Sequence, residues 1–415
     1  MTNNNHSTVV RTTFWYKLFS VVQRIPKFYI ALMLPLALAG YGFLLFFPIM
    51  FVISITQLIQ LQTMTSVTEF TSQIITLLAW TGTAIVCAQT TRQIMRIRFQ
   101  PPEGIIISES TALKLHELIN QIKREITIPK IHRIIITEQL TLDMAKTSRF
   151  PFPLWSINTL VVGLPLMQCL SPEYFKCALA RKLIQYSKLG HGLPKWMAQL
   201  RTIWFQYIKA TPPKRSRYNF ILHYFFKIYA PLYNFLTIPI ANHVELLADQ
   251  DTLRVINDED LLQTIEKVIV TKIYLEKQYW PKINSMVNHN RFKLIEPYSK
   301  LEQVLRTGIT PQMSKRWLDT LYCSHPTRMS PVPDLRSRMN NIGRSKIRIP
   351  EQINESAAHH FLDNAYRDII SEVNHMWLLR SSNNLYDKGR IFVSKPLQPS
   401  VVSSPAARMN TELFN

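Results

Sequence analysis

The sequence predicts an α+β fold, mostly helical, carried on two apolar helices near its N-terminus. Three observations predict it. Two apolar runs, residues 28–59 and 70–88, stand within the first hundred residues, and the first is long enough to cross a bilayer with some tilt. Apolar residues recur at helical spacing through most of the remaining chain. Strand character is confined to residues 131–137 and to the approach to Gly163.

A chain of 415 residues allows two or three domains or one large one, and 47% hydrophobic residues can furnish both a sizeable core and membrane spans. The four cysteines, Cys87, Cys169, Cys177 and Cys323, have no metal-site spacing and suggest no disulfide framework, which fits a reducing compartment. The net charge of +21 calls for an anionic partner: nucleic acid, lipid or an acidic protein. No nucleic-acid motif is present, so anionic lipid is the simpler choice.

Residues 1–27 are polar, then basic, with Arg11, Lys17, Arg24 and Lys27 and no acid. Pro35, Gly40, Gly42 and Pro48 interrupt the first apolar run, which a membrane helix tolerates. A cleaved signal peptide is a poor alternative, because the run is too long and no small-residue cleavage site ends it. The loop before the second run carries Glu69 and no base, and Arg92, Arg96 and Arg98 follow that run at once. Bases outside both spans and none between them put both chain ends in the cytoplasm. The chain thus divides into a basic N-terminus (1–27), two transmembrane helices (28–91), a main domain (92–380) and a Ser-, Asn- and Pro-rich tail (381–415) predicted to be disordered.

In the main domain, residues 113–126 have helical periodicity. His116-Glu117 starts like a zinc-binding helix, but Asn120 stands where the second histidine would be. The central stretch, residues 163–188, reads GLPLMQCLSPEYFKCALARKLIQYSK: a strand end and turn at 161–165, then a helix opened by Ser171-Pro172-Glu173. A capping serine, proline at the first helical position and glutamate in the first turn form a strong start signal.

This stretch resembles the central helix of the HtpX-like and CAAX prenyl protease-like membrane zinc metallopeptidases, peptidase family 48. The matching residues are Gly163, Leu164, Pro165, Leu166, Leu170, Ser171, Pro172, Glu173, Leu179, Ala180, Leu183 and Ser187. The resemblance extends over roughly residues 100–380. It implies a zincin-like metallopeptidase domain on two membrane helices, in a bacterial inner membrane. The family's H-E-x-x-H, two zinc-binding histidines and a general base, is here Arg181-Lys182-Leu183-Ile184-Gln185. Arginine cannot release its proton to bind metal, and lysine in the base position has the wrong charge.

Other family positions persist. Glu245 and Asp249, in VELLAD, match the family's third zinc ligand and its supporting acid, four residues apart on one helical face. His325 and Arg338 match the active-site histidine and arginine of a later motif, across a longer gap carrying Pro331 and Pro333. Met144-Ala145 stands where the family positions substrate beside a strand.

Residues 174–244 contain eleven Lys and Arg and no acid. Within the basic, aromatic insert 188–244, the stripe Trp196, Met197, Leu200, Ile203, Trp204, Tyr207 and Ile208 has two readings. It is either a helix packed on the core or an interfacial helix with Trp196, Arg201 and Trp204 at the headgroup level. Residues 218–240 read as buried or re-entrant helices. Between 258 and 320 the chain reads as soluble helices broken at Pro281, Pro297 and Pro311.

Three functions remain open. The favoured one is a catalytically inactive pseudoprotease that binds a membrane protein or peptide. The second is an active metalloendopeptidase recruiting His191, His223 or His243 beside Glu245. The third is a basic membrane-surface scaffold. No cofactor is expected, zinc being that of the active family members. An ion pair between Arg181 and Glu245, shared with Lys182 and joined by Gln185, is expected where zinc would have been.

Overall fold

The structure, a computed structural model, describes residues 26–62, 70–148, 156–187, 192–212, 219–288, 295–323, 330–344, 346–351 and 353–387. Helix α1 (Pro26–Gln62) pairs with α2 (Phe70–Met95). Their segments Lys27–Leu61 and Ser72–Met95 are long and apolar enough to cross a membrane. Both present exposed apolar side chains, including Leu45, Ile49, Val52, Ile75, Leu78 and Ile85. Such faces are stable against lipid rather than water. Pro35 and Pro48 lie inside α1 without ending it.

Four strands form one small sheet, β1 (Ile105–Ile106), β2 (Arg133–Thr137), β3 (Leu142–Ser148) and β4 (Ser156–Gly163), in the order β1-β2-β4-β3. β2 runs parallel to β4, with Ile135 opposite Val161, while β3 pairs antiparallel to β4, with Met144 opposite Leu160. β3 is therefore an edge strand. The last β4 residue must be glycine: a Cβ on Gly163 would collide with the carbonyl oxygen of Gln139.

The chain then makes a short helix, α4 (Leu164–Cys169), where the sequence suggested a turn, and enters α5 (Pro172–Gln185). Ser171 caps α5 by accepting the Tyr174 N–H at 3.3 Å. Phe175, Leu179, Leu183 and the residues at helical spacing beside them are buried, so α5 forms the spine of the main core. Around it pack α3 (Leu113–Glu125), α9 (Asp258–Tyr274), α11 (Leu301–Gly308), α12 (Pro311–Cys323), α13 (Leu335–Ile342) and α14 (Ala357–Leu362). Pro281 does not break the chain as expected. A π-helical turn at Leu275–Tyr279 leads straight into α10 (Trp280–Asn288), and this wider turn accommodates a proline that cannot donate. The last helix, α15 (Tyr366–Asp387), continues past residue 381, so the first part of the expected tail is helical.

A second core joins α1 and α2 to the insert. Helix α6 (Gly192–Ala210) and helix α7 (Asn219–Leu236) pack on α1 and lead into α8 (Ile238–Thr252). α7 runs antiparallel to α1: Tyr29 donates to the Leu236 carbonyl at 2.6 Å, Tyr229 accepts the Gly40 N–H at 3.2 Å, and Phe43 stacks on Phe225. Gly40 is required by close approach, because a Cβ there would stand 2.8 Å from Cζ2 of Trp204. Met197, Leu200, Trp204 and Tyr207 are buried. This corrects the interfacial reading for Trp204, whose indole lies in the aromatic core against Phe226 rather than at a headgroup surface. Trp196 is half-buried and stacks on Tyr41, and Arg201 turns inward to donate to Asn234 Oδ1 at 2.8 Å.

Candidate functional site

The candidate site is built by three helices. α5 supplies Arg181, Lys182 and Gln185, α8 supplies Glu245 and Asp249, and α13 supplies Arg338. On α5, Arg181 and Gln185 are one turn apart and face α8; on α8, Glu245 and Asp249 repeat the same spacing. Arg181 lies between the two acids. Its Nη2 is 2.7 Å from Glu245 Oε2 and its Nε is 2.6 Å from Asp249 Oδ1. Gln185 donates its amide to the other Glu245 oxygen at 2.6 Å. Arg338 closes the far end, its Nε 2.8 Å from Asp249 Oδ2 and its Nη2 2.9 Å from Oδ1.

Asp249 is fully buried, and the side chains of Arg181, Glu245 and Arg338 are only 10–17% exposed. Such charges are tolerable only when paired and hydrogen-bonded. Burial alone would raise the Glu245 pKa. The Arg181 charge, then Lys182, then the hydrogen bonds from Arg181 and Gln185 outweigh it and hold the carboxyl at about 2. Burial likewise opposes the Arg181 charge, and Asp249 and Glu245 together raise that guanidinium above its ordinary range. Glu245 is therefore ionised and Arg181 protonated at neutral pH.

Lys182 acts on Glu245 only through its charge and does not make the expected direct ion pair with it. Its Nζ lies 3.2 Å from Asp143 Oδ1 on β3, and the same oxygen accepts the Tyr186 hydroxyl at 2.9 Å. Asp143 and Tyr186 escaped the sequence reading, although Asp143 directly precedes the Met144-Ala145 pair singled out there. The reason is tertiary: Asp143 meets α5 only because β3 is the strand beside it. His325 and His191 lie outside the described residues. His223 sits in the helical hairpin with its Nδ1 buried and unpartnered. His116 makes only a local contact to the Ala112 carbonyl.

The residues present do not fit zinc. Where the resemblance would place the first ligand stands a guanidinium, where it would place the second an amide whose nitrogen points at Glu245, and both oxygens of Glu245 accept hydrogen bonds. Among the described residues no three His, Cys, Asp or Glu side chains are grouped to hold a metal ion. The cavity bordered by Gln185, Lys195, Val244 and Asp251 has a volume of about 20 Å³, room for a single water. Comparison with family models, curated proteins and solved structures gives no match to this chain.

Proposed function

We propose that this chain is a membrane-anchored relative of the HtpX-like zinc metallopeptidases that has replaced its metal with ion pairs and acts by binding rather than hydrolysis. The observation that carries this reading is the position of Arg181. It sits in the first ligand place of a helix matching the family at twelve flanking positions, and it pairs with Glu245, the residue in the third. A positive guanidinium between the two acids does locally what a metal cation would do: it neutralises buried carboxylates and ties the helices together.

Binding is proposed to use the free edge of β3 beside Ala145, where an extended segment of a membrane protein or peptide could add as a further strand. The inner membrane, with residues 92–415 in the cytoplasm, is the proposed location. Support comes from the arginines that follow α2 at once. A further support is the outer face of α7, where Phe220, Tyr224, Ile228, Leu232 and Phe235 are all exposed and continue the apolar surface of α1.

The test combines three measurements on full-length protein purified in detergent. Metal analysis should find no stoichiometric zinc, and the protein should not cleave unfolded protein substrates in a chelator-sensitive manner. Peptide arrays should give ligands whose binding is lost when Lys146, next to Ala145, is replaced by Pro, which removes an outward backbone donor of the edge. Zinc at one per chain with chelator-sensitive cleavage would overturn the proposal.

A further inference from the structure

The charges around the site are unevenly matched. Arg181 and Arg338 pair with Glu245 and Asp249, and Lys182 pairs with Asp143. Two further cations close by have no acid. Lys146, on β3, has Gln199 Oε1 as its partner at 2.9 Å. Lys195, in the first turn of α6, donates to the Ser187 carbonyl at 2.6 Å and lies 5.7 Å over the Tyr186 ring, as does Lys182 on the same ring. Lys195 and Gln199 are one turn apart, so the Lys146 contact to Gln199 brings the two ammonium groups onto one face of α6. Neither lysine meets a carboxylate among the described residues. The carboxylate that borders the same small cavity as Lys195, Asp251, faces Arg254 at 3.5 Å.

Both ammonium groups are half-buried, and both are held below the ordinary lysine range. Burial is the larger cause for each, and for Lys195, lowered to about 8, repulsion from Lys146 adds to it. Two like charges, half-desolvated and adjacent, cost stability unless an anion completes them. The run that carries Lys195, residues 174–244, holds no acid of its own to complete the pair. The place also matters. Trp196, next to Lys195, stacks on Tyr41 of α1, so the pair stands against the wall of a helix that is long and apolar enough to cross a membrane.

We infer that Lys146 and Lys195, with Gln199 between them, form a binding site for a phosphate-bearing anion, and that its occupant is the headgroup of an anionic phospholipid. The site joins β3, the proposed binding edge, to the helices that pack against the membrane. It deepens the reading of α1 and α2 as membrane helices and rests on that reading for the source of its ligand.

The experiment uses the full-length protein in non-ionic detergent, with soluble dihexanoyl phosphatidylglycerol, dihexanoyl phosphatidylcholine and inorganic phosphate as probes. Binding is read by calorimetry and by the thermal unfolding midpoint. Phosphatidylglycerol should bind saturably and raise the midpoint, and phosphatidylcholine should do neither. Lys146→Met with Lys195→Met should weaken phosphatidylglycerol at least about tenfold, since each base near an anionic headgroup is worth about 1 kcal/mol. Lys209→Met, an exposed base of the same helix, should leave affinity unchanged. Without lipid, the double variant should unfold no lower than the parent, because it loses two unpaired charges. Equal binding of the two lipids, undiminished affinity in the double variant, or an equal loss in Lys209→Met would overturn the site. Inorganic phosphate producing the full effect would overturn the lipid as occupant. Release of the chain from carbonate-washed membranes would instead count against the anchoring of α1 and α2, and the comparison of variants in detergent would still read the site.

Discussion

Arg181 and Glu245 are 64 residues apart in sequence and meet at 2.7 Å, with the guanidinium reaching on to Asp249 at 2.6 Å. A single arginine therefore bridges two carboxylates on successive turns of α8. Removing it would leave Glu245 buried beside only an amide donor, and Asp249 with Arg338 alone. Arg181→Ala should lower stability by about 3–5 kcal/mol, the cost of breaking a buried ion pair from one side. Arg201→Ala removes a hydrogen bond to a neutral amide and should cost about 1–2 kcal/mol. Denaturant unfolding of both variants checks this, and equal losses would count against the network.

Two glutamates should give the stability profile opposite slopes in different pH ranges. Glu245 is held at about 2, below its ordinary value of 4.5, so its contribution is present above pH 4.5 and is lost as pH falls toward 2. Glu266 behaves in the other sense. It is fully buried on α9, accepts the Arg348 N–H on one oxygen at 3.3 Å, and leaves the other unpartnered. Burial raises it to about 7. Its folded state holds a proton that the unfolded chain releases, so stability falls as pH rises from 4.5 through 7. Glu266→Gln should therefore raise the unfolding midpoint at pH 8 and change it little at pH 5. A variant that is destabilised equally at both would sink this account.

Building the H-E-x-x-H pattern into α5 tests the proposed descent from HtpX-like metallopeptidases. Arg181→His, Lys182→Glu and Gln185→His together place two imidazoles one turn apart on α5, opposite Glu245. The triple variant should bind one zinc per chain and the parent none, and the metal should raise the variant's unfolding midpoint. A correctly folded triple variant that ignores zinc at micromolar concentrations would argue that the α5–α8 geometry is unrelated to a metal centre.

The distribution of bases around α1 and α2 predicts a topology that can be checked in cells. A reporter fused after Gly343 should behave as cytoplasmic, and one placed beside Glu69 as external. The reverse pattern would refute both the orientation and the cytoplasmic location of the main domain.

Much of this molecule follows from its sequence alone. The apolar runs specify α1 and α2, because such length and composition have few other stable uses. Ser171, Pro172 and Glu173 fix where α5 starts, and the spacing of Phe175, Leu179 and Leu183 fixes which face it buries. Arg181, Gln185 and Glu245 could be expected opposite one another only through what the resemblance to the HtpX-like metallopeptidases implies. Other features were decided only by tertiary structure. The place of Lys182 beside Arg181 suggests Glu245 as its partner, but its ion pair is with Asp143, which reaches it through the pairing of β3 with β4 and the packing of β3 beside α5. The role of Asp249 as the hinge of two arginines needed α13 to bring Arg338 within reach, 89 residues away in sequence. Trp204 could have faced lipid or core on its periodicity, and Gly40 decided it: the missing side chain on α1 opens the space the indole fills. Periodicity says that a helix has a buried face, whereas the element that covers that face is chosen by the whole fold.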